Sequence, residues 1–215
     1  SITASTKVIY IASPNNPTGT YLSRDQIVKL MQNISKNIIV VIDGAYVEYV
    51  QKEDYEKGFS LSDEFENIIL TRTFSKTYGL AALRIGWCYT SLKVADIIKK
   101  IKPPFNTSSI SQAIAIEALN DSQYIDKIVK LNSEIKTWFE TELDTLKIKT
   151  RKTEGNFSLI ETSIEGAKKI SRHLAEDGII VRNLDSYNLH NFLRISIGTR
   201  EEMEETINSL KNLNE

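Results

Sequence analysis

Residues 8–42 read VIYIASPNNPTGTYLSRDQIVKLMQNISKNIIVVI, and this stretch decides the fold. Val8–Ala12 and Ile38–Ile42 are short apolar runs, which predicts two buried strands. Between them, Ser23 is followed three residues later by Gln26, the signature of a helix N-terminus, and apolar residues then recur at helical spacing from Ile27. Strand, helix and strand in succession form a βαβ unit, and such units build parallel sheets.

The rest of the chain extends this organisation and then changes character. Further strands are predicted at Ile68–Leu70 and Ile85–Cys88, and further helices at Val94–Ile101, Ser108–Leu119 and Tyr124–Leu146. Beyond them, short strands at Ile148–Arg151, Phe157–Ile160, Ile179–Arg182 and Phe192–Ile197 alternate with helices at Glu165–Glu176 and Glu201–Leu213. We therefore predict an α/β protein with a partial large domain at 1–120, built on a mostly parallel sheet. A small α+β domain follows at 121–215 and begins with the long helix.

Composition excludes several classes of partner. The chain has 215 residues, a net charge of -1 and 41% hydrophobic residues, an ordinary globular mixture. Neither sign of charge dominates, so we expect no nucleic acid and no membrane surface as partner. A single cysteine, Cys88, rules out an intrachain disulfide, fits a reducing cytoplasm and is expected to be a small buried core residue.

The start of the chain is abrupt. It has no initiator methionine, no basic start and no apolar centre of a signal peptide, and it runs almost at once into a strand. We therefore expect a chain whose beginning is missing.

Polar residues follow the ends of the predicted strands. Asn16 lies after the first strand, Asp43 and Tyr46 after the second, and Lys76 and Arg84 after the third. In an open parallel sheet the carboxyl ends of the strands converge on one crevice, where ligands bind. Taken alone, each residue also fits a common structural role: a turn, a helix cap, a solvated lysine or an arginine in an ion pair. The combination predicts a site.

These segments also carry a resemblance. The motifs Asn16-Pro17-Thr18-Gly19, Asp43-Gly44-Ala45-Tyr46, Thr73-Phe74-Ser75-Lys76, Arg84-Ile85-Gly86 and Phe192–Thr199 resemble those of the class I/II aminotransferases that depend on pyridoxal 5'-phosphate (PLP). The resemblance runs from Lys7 to about Leu213 and matches only the later part of that family's chain, so it implies the PLP-dependent transferase fold type I without its N-terminal part. Thr73–Leu80, Arg182-Asn183 and Leu193-Arg194-Ile195 are most similar to the histidinol-phosphate aminotransferases.

The resemblance implies a role for each residue of the cofactor site. Lys76 would hold PLP covalently and act as the acid–base group of the reaction. Asp43 would face the pyridine nitrogen, and Tyr46 and Asn16 the phenolic oxygen. The cofactor phosphate would be bound by Thr73, Ser75 and Arg84.

The resemblance also implies a substrate site. Arg194 would grip the anionic end of a small-molecule amino donor or 2-oxo acid, a carboxylate for 2-oxoglutarate and a phosphate for histidinol phosphate. Arg182 would assist with the phosphate, or would simply end a strand at the surface. Asn156 resembles a position near the substrate carboxylate, although Gly155-Asn156 is also a common turn. The family implies a homodimer in the cytoplasm.

The sequence departs from the family in two ways. The family usually has an acidic residue where this chain has Gly44, which we expect to alter loop stiffness more than chemistry. The absence of the family's N-terminal part leads us to expect a truncated product with an uncovered sheet edge or face, which binds PLP weakly or not at all.

Several alternatives stay open. PLP-dependent decarboxylation of a phosphorylated amino acid would use the same site, and a catalytically silent PLP-binding fragment is the reading from another class. A non-PLP nucleotide-binding domain is disfavoured, because both common glycine-rich phosphate motifs are missing. His173 and His190 stand alone, so we predict structural roles for both and no metal site.

Overall fold

The computed structural model of the chain describes residues 2–213. It divides into two compact units, the first formed by Ser1–Asn15 with Tyr21–Asp126 and the second by Asn16–Thr20 with Lys127–Glu215. The domain assignment with its boundary near residue 121 stays a prediction, and its outer ends at residues 1, 214 and 215 lie outside the described residues.

A four-stranded sheet organises the first unit. Its strands are β1 (Val8–Ala12), β2 (Ile39–Asp43), β3 (Ile68–Thr73) and β4 (Gly86–Thr90), in the order β1-β2-β3-β4. The first three strands are parallel, as the βαβ pattern predicts, and β4 is antiparallel to β3.

The prediction of a buried strand at Ile85–Cys88 was wrong in two respects. The strand runs from Gly86 to Thr90, and all its side chains are exposed or half-buried. Cys88 is exposed and is not the core residue that we expected. The reason is topological, because β4 lies at the edge of the sheet and pairs only with β3 within residues 2–213.

Five helices belong wholly or partly to the first unit. They are α1 (Arg24–Gln32), α2 (Ser60–Glu64), α3 (Leu92–Ile101), α4 (Ser109–Asn120) and α5 (Ser122–Thr145), with 3₁₀ turns at Val47–Tyr49 and Ala81–Leu83. The capping box predicted for α1 is formed, since Ser23 accepts from the backbone of Gln26 and the Gln26 side chain accepts from the backbone of Ser23. Ser108 caps α4 in the same manner through its hydroxyl.

The core of the first unit lies where α1 and α2 cover the sheet. Ile27 and Met31 of α1 and Leu61 of α2 pack with apolar side chains of β2 and β3, namely Val40, Ile42, Ile68 and Leu70. Burying each such side chain contributes about 1.5–3 kcal/mol, so this small cluster fixes the sheet on which the site depends.

The second unit is an antiparallel sheet covered by helices. Its strands are β5 (Lys149–Arg151), β6 (Phe157–Glu161), β7 (Arg182–Asn183) and β8 (Phe192–Ser196), in the order β5-β6-β8-β7, and its other elements are α6 (Ile164–Glu176), α7 (Arg200–Asn212) and a 3₁₀ turn at Asp185–Tyr187. Phe139 and Leu143 of α5, Leu174 of α6 and Leu210 of α7 form its fully buried centre.

One predicted strand of this unit is much shorter than expected. The sequence predicts a strand at Ile179–Arg182, whereas β7 contains only Arg182 and Asn183. Gly178 has a φ of 80° and the backbone N–H of Ile179 donates to the Leu174 carbonyl at 2.7 Å. This left-handed termination of α6 uses the residues that the apolar pattern assigned to the strand.

The first unit exposes apolar side chains, in line with the expected uncovered edge. β1 is an edge strand, and Tyr10 on it is 78% exposed. The same holds for large apolar residues on and around α3 and α4: Leu92, Ile101, Phe105 and Ile110. Such surface is an association liability.

Two kinds of feature are absent from residues 2–213, a membrane-spanning helix and a cluster of metal ligands. None of their helices has the length and apolarity that a membrane crossing requires. Among the same residues, no three His, Cys, Asp or Glu side chains are grouped so that they could hold a metal ion.

Candidate active site

The sheet of the first unit brings several predicted site residues to one edge. Asp43, the last residue of β2, is paired with Thr71 of β3, and Thr73 at the end of β3 is paired with Gly86 at the start of β4. Arg84 lies after β3, as predicted, in the connection that leads into β4. It reaches the same edge because β4 is antiparallel to β3. The prediction of converging carboxyl ends assumed parallel strands and did not include this arrangement.

Asp43 is held at this edge by its neighbour on β3. The Thr71 hydroxyl donates to Asp43 Oδ1 at 3.0 Å, and the aspartate remains exposed. A carboxylate fixed on one side and open on the other can accept a hydrogen bond from a cationic ring nitrogen.

Tyr46 and Lys76 meet from two different loops. Tyr46 precedes the 3₁₀ turn after β2 and is only 4% exposed, while Lys76 follows β3 and is exposed. Lys76 Nζ lies 5.3 Å from the centroid of the Tyr46 ring, within the range of a cation–π contact. The amine is thus held over an aromatic face that is itself packed into the unit.

Thr73, Ser75 and Arg84 supply donors suited to an anion. The backbone N–H of Ser75 donates to the Thr73 hydroxyl at 3.1 Å, which fixes the two residues against each other. Arg84 has a φ of 50°, in the left-handed region, and its Nη1 donates to the Ala81 carbonyl at 2.8 Å. Two hydroxyls and a guanidinium are donor types that suit a phosphate dianion.

Sequence reasoning missed the residues that support these loops. Thr77 is 1% exposed and its hydroxyl donates to Glu48 Oε2 at 3.2 Å. Arg72, 8% exposed within β3, donates to the carbonyls of Thr71 and Lys57 at 2.8 and 3.2 Å. A charged residue inside an apolar strand and a glutamate between two tyrosines are the signals that could have pointed to them.

Burial perturbs the acidity of Glu48. Desolvation raises the pKa of its carboxyl above the ordinary 4.5, and the hydrogen bonds and the nearby charges of Arg72 and Lys57 offset this only in part. Burial likewise raises the pKa of Tyr49, which also bonds to Thr77.

The glycine at position 44 is explained by packing, whereas the sequence suggested only an effect on the stiffness of the loop. A Cβ atom at this position would lie 2.3 Å from Nη1 of Arg72, so the side chain that the family usually carries here would meet the buried guanidinium. Gly44 therefore leaves the space in which Arg72 lies against the turn after β2.

Asn16 and Arg194 are paired within the second unit. Arg194 Nη1 donates to Asn16 Oδ1, and the guanidinium carbon lies 5.4 Å from the centroid of the Phe157 ring. Arg194 Nε is buried and has no hydrogen-bond acceptor among residues 2–213. Asn16 is held by the backbone bond from Glu154 N–H to the Gly19 carbonyl, which ties its loop to this unit.

Arg182 lies directly opposite Arg194. The two residues are register partners in the antiparallel pair of β7 and β8, so their side chains project from the same face. Like charges directly opposite each other are unfavourable unless an anion lies between them. Asn156, just before β6, accepts at its carbonyl from Ile197 N–H at 2.9 Å and so stands near the end of β8.

The two histidines are hydrogen-bonded away from these residues. His173 Nε2 lies 2.8 Å from the Ser209 carbonyl, and His190 Nδ1 lies 2.8 Å from Asp185 Oδ1. Both contacts join neighbouring elements of the second unit.

Comparison with known proteins identifies the family of the chain. The family model described as "Aminotransferase class I and II" matches residues 1–210. The chain is 39% identical over 214 residues to a histidinol-phosphate aminotransferase of Psychrobacter arcticus and 40% identical over 213 residues to one of Pelagibacter ubique, with 98% of this chain covered in both.

Among solved structures, the chain resembles histidinol-phosphate aminotransferase from Sinorhizobium meliloti, a complex with pyridoxal-5'-phosphate. The TM-score is 0.88 at 28% identity, and 96% of this chain and 57% of that chain are covered. The chain likewise spans only 56% and 59% of the lengths of the two curated relatives.

Proposed function

We propose a function for a chain that belongs to the aminotransferase class I and II family. The protein transfers an amino group from histidinol phosphate to 2-oxoglutarate, in histidine biosynthesis, with PLP as cofactor. It would work as a homodimer in the cytoplasm, and the single cysteine fits that reducing compartment.

The residues at the sheet edge of the first unit fit PLP. A primary amine, a fixed carboxylate and a cluster of anion donors match the three reactive features of this cofactor, its aldehyde, its ring nitrogen and its phosphate. When bound, PLP supplies an electron sink for the electron pair released from the substrate's Cα–H bond.

The residues of the chain would then divide the work. Lys76 would hold the cofactor through its ε-amine, and the same amine would carry the proton of the substrate Cα. Asp43 keeps a proton on the ring nitrogen, because a nearby carboxylate favours the cationic form. Tyr46 would orient the cofactor's phenolic oxygen, and Thr73, Ser75 and Arg84 would bind its phosphate. For Asn16, a role at that oxygen is what the resemblance implies.

The opposition of Arg182 and Arg194 carries the substrate assignment. Two guanidinium groups on one face of an antiparallel pair suit a doubly charged phosphate better than a single carboxylate. With Arg194 at the anionic end, Asn156 stands near enough to β8 to contact a neighbouring polar group of the donor.

A comparison of two amino donors tests this function. The PLP-loaded protein is assayed for glutamate formation from 2-oxoglutarate with histidinol phosphate and with histidinol, which lacks the phosphate. We expect Arg182→Ala to raise the KM for histidinol phosphate about tenfold or more and to leave histidinol unaffected, because a charge-assisted bond contributes about 1.5–3 kcal/mol. Arg172→Ala, at an exposed arginine of α6, is the matched control.

Two results would contradict the proposal. Equal use of both donors by the unaltered protein would remove the phosphate assignment. Release of carbon dioxide without amino transfer would replace the aminotransferase by a decarboxylase.

A further inference from the structure

We propose that Glu48 and Thr77 are positioning residues that hold Lys76 against Tyr46 through the partly buried hydrogen bond between their side chains. The proposal rests on the proposed function, since it assigns to these two residues a role in presenting the lysine of that site. Glu48 lies outside the motifs by which the site was predicted, and Thr77 lies within Thr73–Leu80 but was given no role there.

The bond joins two loops that are far apart in sequence. Thr77 Oγ1 donates to Glu48 Oε2 at 3.2 Å across 29 positions. Thr77 is the residue after Lys76, and Glu48 lies two residues after Tyr46. The bond therefore connects the loop that carries the amine to the turn that carries the aromatic ring.

Each of the two segments is already fixed internally. In the 3₁₀ turn, the N–H of Tyr49 donates to the Tyr46 carbonyl at 3.1 Å. In the other loop, the N–H of Gly79 donates to the Lys76 carbonyl at 2.9 Å, and the N–H of Leu80 donates to the Phe74 carbonyl at 2.9 Å. Since both segments are internally bonded, their mutual placement depends on the groups that link them, and the Glu48–Thr77 bond is a direct side-chain link between them.

Charged and polar groups of several segments surround the Glu48 carboxyl. The charged groups that act on it are Arg72 from β3 and Lys57 from the loop before α2, and the tyrosines that sense its charge are Tyr49, Tyr55 and Tyr78. Arg72 is itself fixed by its two bonds to backbone carbonyls. The fixed positive charge of Arg72 thus acts on the carboxyl that accepts from Thr77.

A bond of this kind affects the reaction only through Lys76. Thr77 is 1% exposed, so its hydroxyl is closed to solvent and substrate. Without this hydrogen bond, the loop of Lys76 can move away from the Tyr46 ring, whose centroid lies 5.3 Å from Lys76 Nζ. An amine displaced by about 1 Å from its productive geometry reacts far more slowly.

Three variants separate positioning from packing. Thr77→Val keeps the shape and removes the hydroxyl, Thr77→Ser keeps the hydroxyl, and Glu48→Gln keeps an acceptor without the charge. The first readout is the absorbance band of PLP bound to Lys76, with the adduct quantified at Lys76 after borohydride reduction at limiting PLP. The second is amide hydrogen exchange of residues 76–79 in protein without PLP, with α7 as the internal reference.

We expect Thr77→Val to reduce the Lys76 adduct about tenfold and to speed exchange at residues 76–79, while α7 stays protected. Thr77→Ser and Glu48→Gln should keep both the Lys76 adduct and the exchange rate at residues 76–79 near those of the unaltered protein. The proposal is wrong if Thr77→Val matches the unaltered protein in both readouts, or if Thr77→Ser is as defective as Thr77→Val. Absence of any Lys76 adduct in the unaltered protein would refute the proposed function instead, and the exchange comparison would still decide whether the link holds the loop.

Discussion

Lys76, Asp43 and Tyr46 could be located from the sequence because each follows a predicted strand within a motif. The residues that support them could not. The roles of Glu48, Arg72 and Thr77 depend on contacts between segments that are distant in the sequence, since Thr77 bonds to Glu48 and Arg72 bonds to the Lys57 carbonyl. A pattern of residue types along the chain does not contain that information.

The pH dependence of stability should report on Glu48. Because the pKa of its carboxyl is raised in the folded protein, the folded state binds more protons than the unfolded state above the ordinary 4.5. The contribution is therefore fully present below that value and is lost as the pH rises through the raised pKa. We expect the free energy of unfolding, measured with urea from pH 4.5 upward, to fall less steeply in Glu48→Gln than in the unaltered protein.

The matched control for this measurement is Glu117→Gln, at a glutamate on α4 that is not among the groups described around Glu48. It should follow the unaltered protein at every pH. A Glu48→Gln profile that is parallel to that of the unaltered protein would show that Glu48 ionises alike in both states.

At the scale of elements, the sequence predicted the type of each long segment and some details of its ends. The capping box of α1 and the strand β1 were confirmed to the residue. The direction of β4 and the shortness of β7 were not predictable from local patterns. The direction of β4 is set by its pairing with β3, which apolar runs along the chain do not reveal. β7 is shortened by the left-handed turn at Gly178.

The glycines of the second unit provide a test of close packing. Gly19 has a φ of 69°, and a Cβ there would lie 2.3 Å from Thr153 Cβ and 2.6 Å from Thr153 Cα. Gly178 has a φ of 80° and nothing within 4 Å of such an atom. Gly178→Ala should cost only the conformational penalty, about 1 kcal/mol, whereas Gly19→Ala adds a clash of about 1–3 kcal/mol.

Urea unfolding of the two variants checks this prediction. Equal losses of unfolding free energy would mean that the loop of Asn16–Thr20 does not pack on Thr153 as described. The difference also bears on the site, since that loop carries the Asn16 partner of Arg194.

At the scale of the whole molecule, the sequence established the family and the fold class, and the comparisons confirm both. The βαβ unit predicted the parallel strands, and the motifs at the strand ends identified the PLP-dependent transferase fold type I. The division into domains near residue 121 stays a prediction beside the two compact units, which separate within α5. The roles of the individual site residues likewise remain proposals.

The central claim is that Lys76 is the residue that holds PLP. The most direct measurement is the absorbance spectrum of the purified protein with added PLP, followed by borohydride reduction and mapping of the modified lysine by mass spectrometry. Lys76→Ala is the test variant, and Lys52→Ala, an exposed lysine of the same unit, is the control. Because borohydride also traps PLP that is weakly bound, we predict a single reduced adduct at Lys76 in the unaltered and control proteins and none in Lys76→Ala. An adduct spread over surface lysines, or one that persists in Lys76→Ala, would contradict the account.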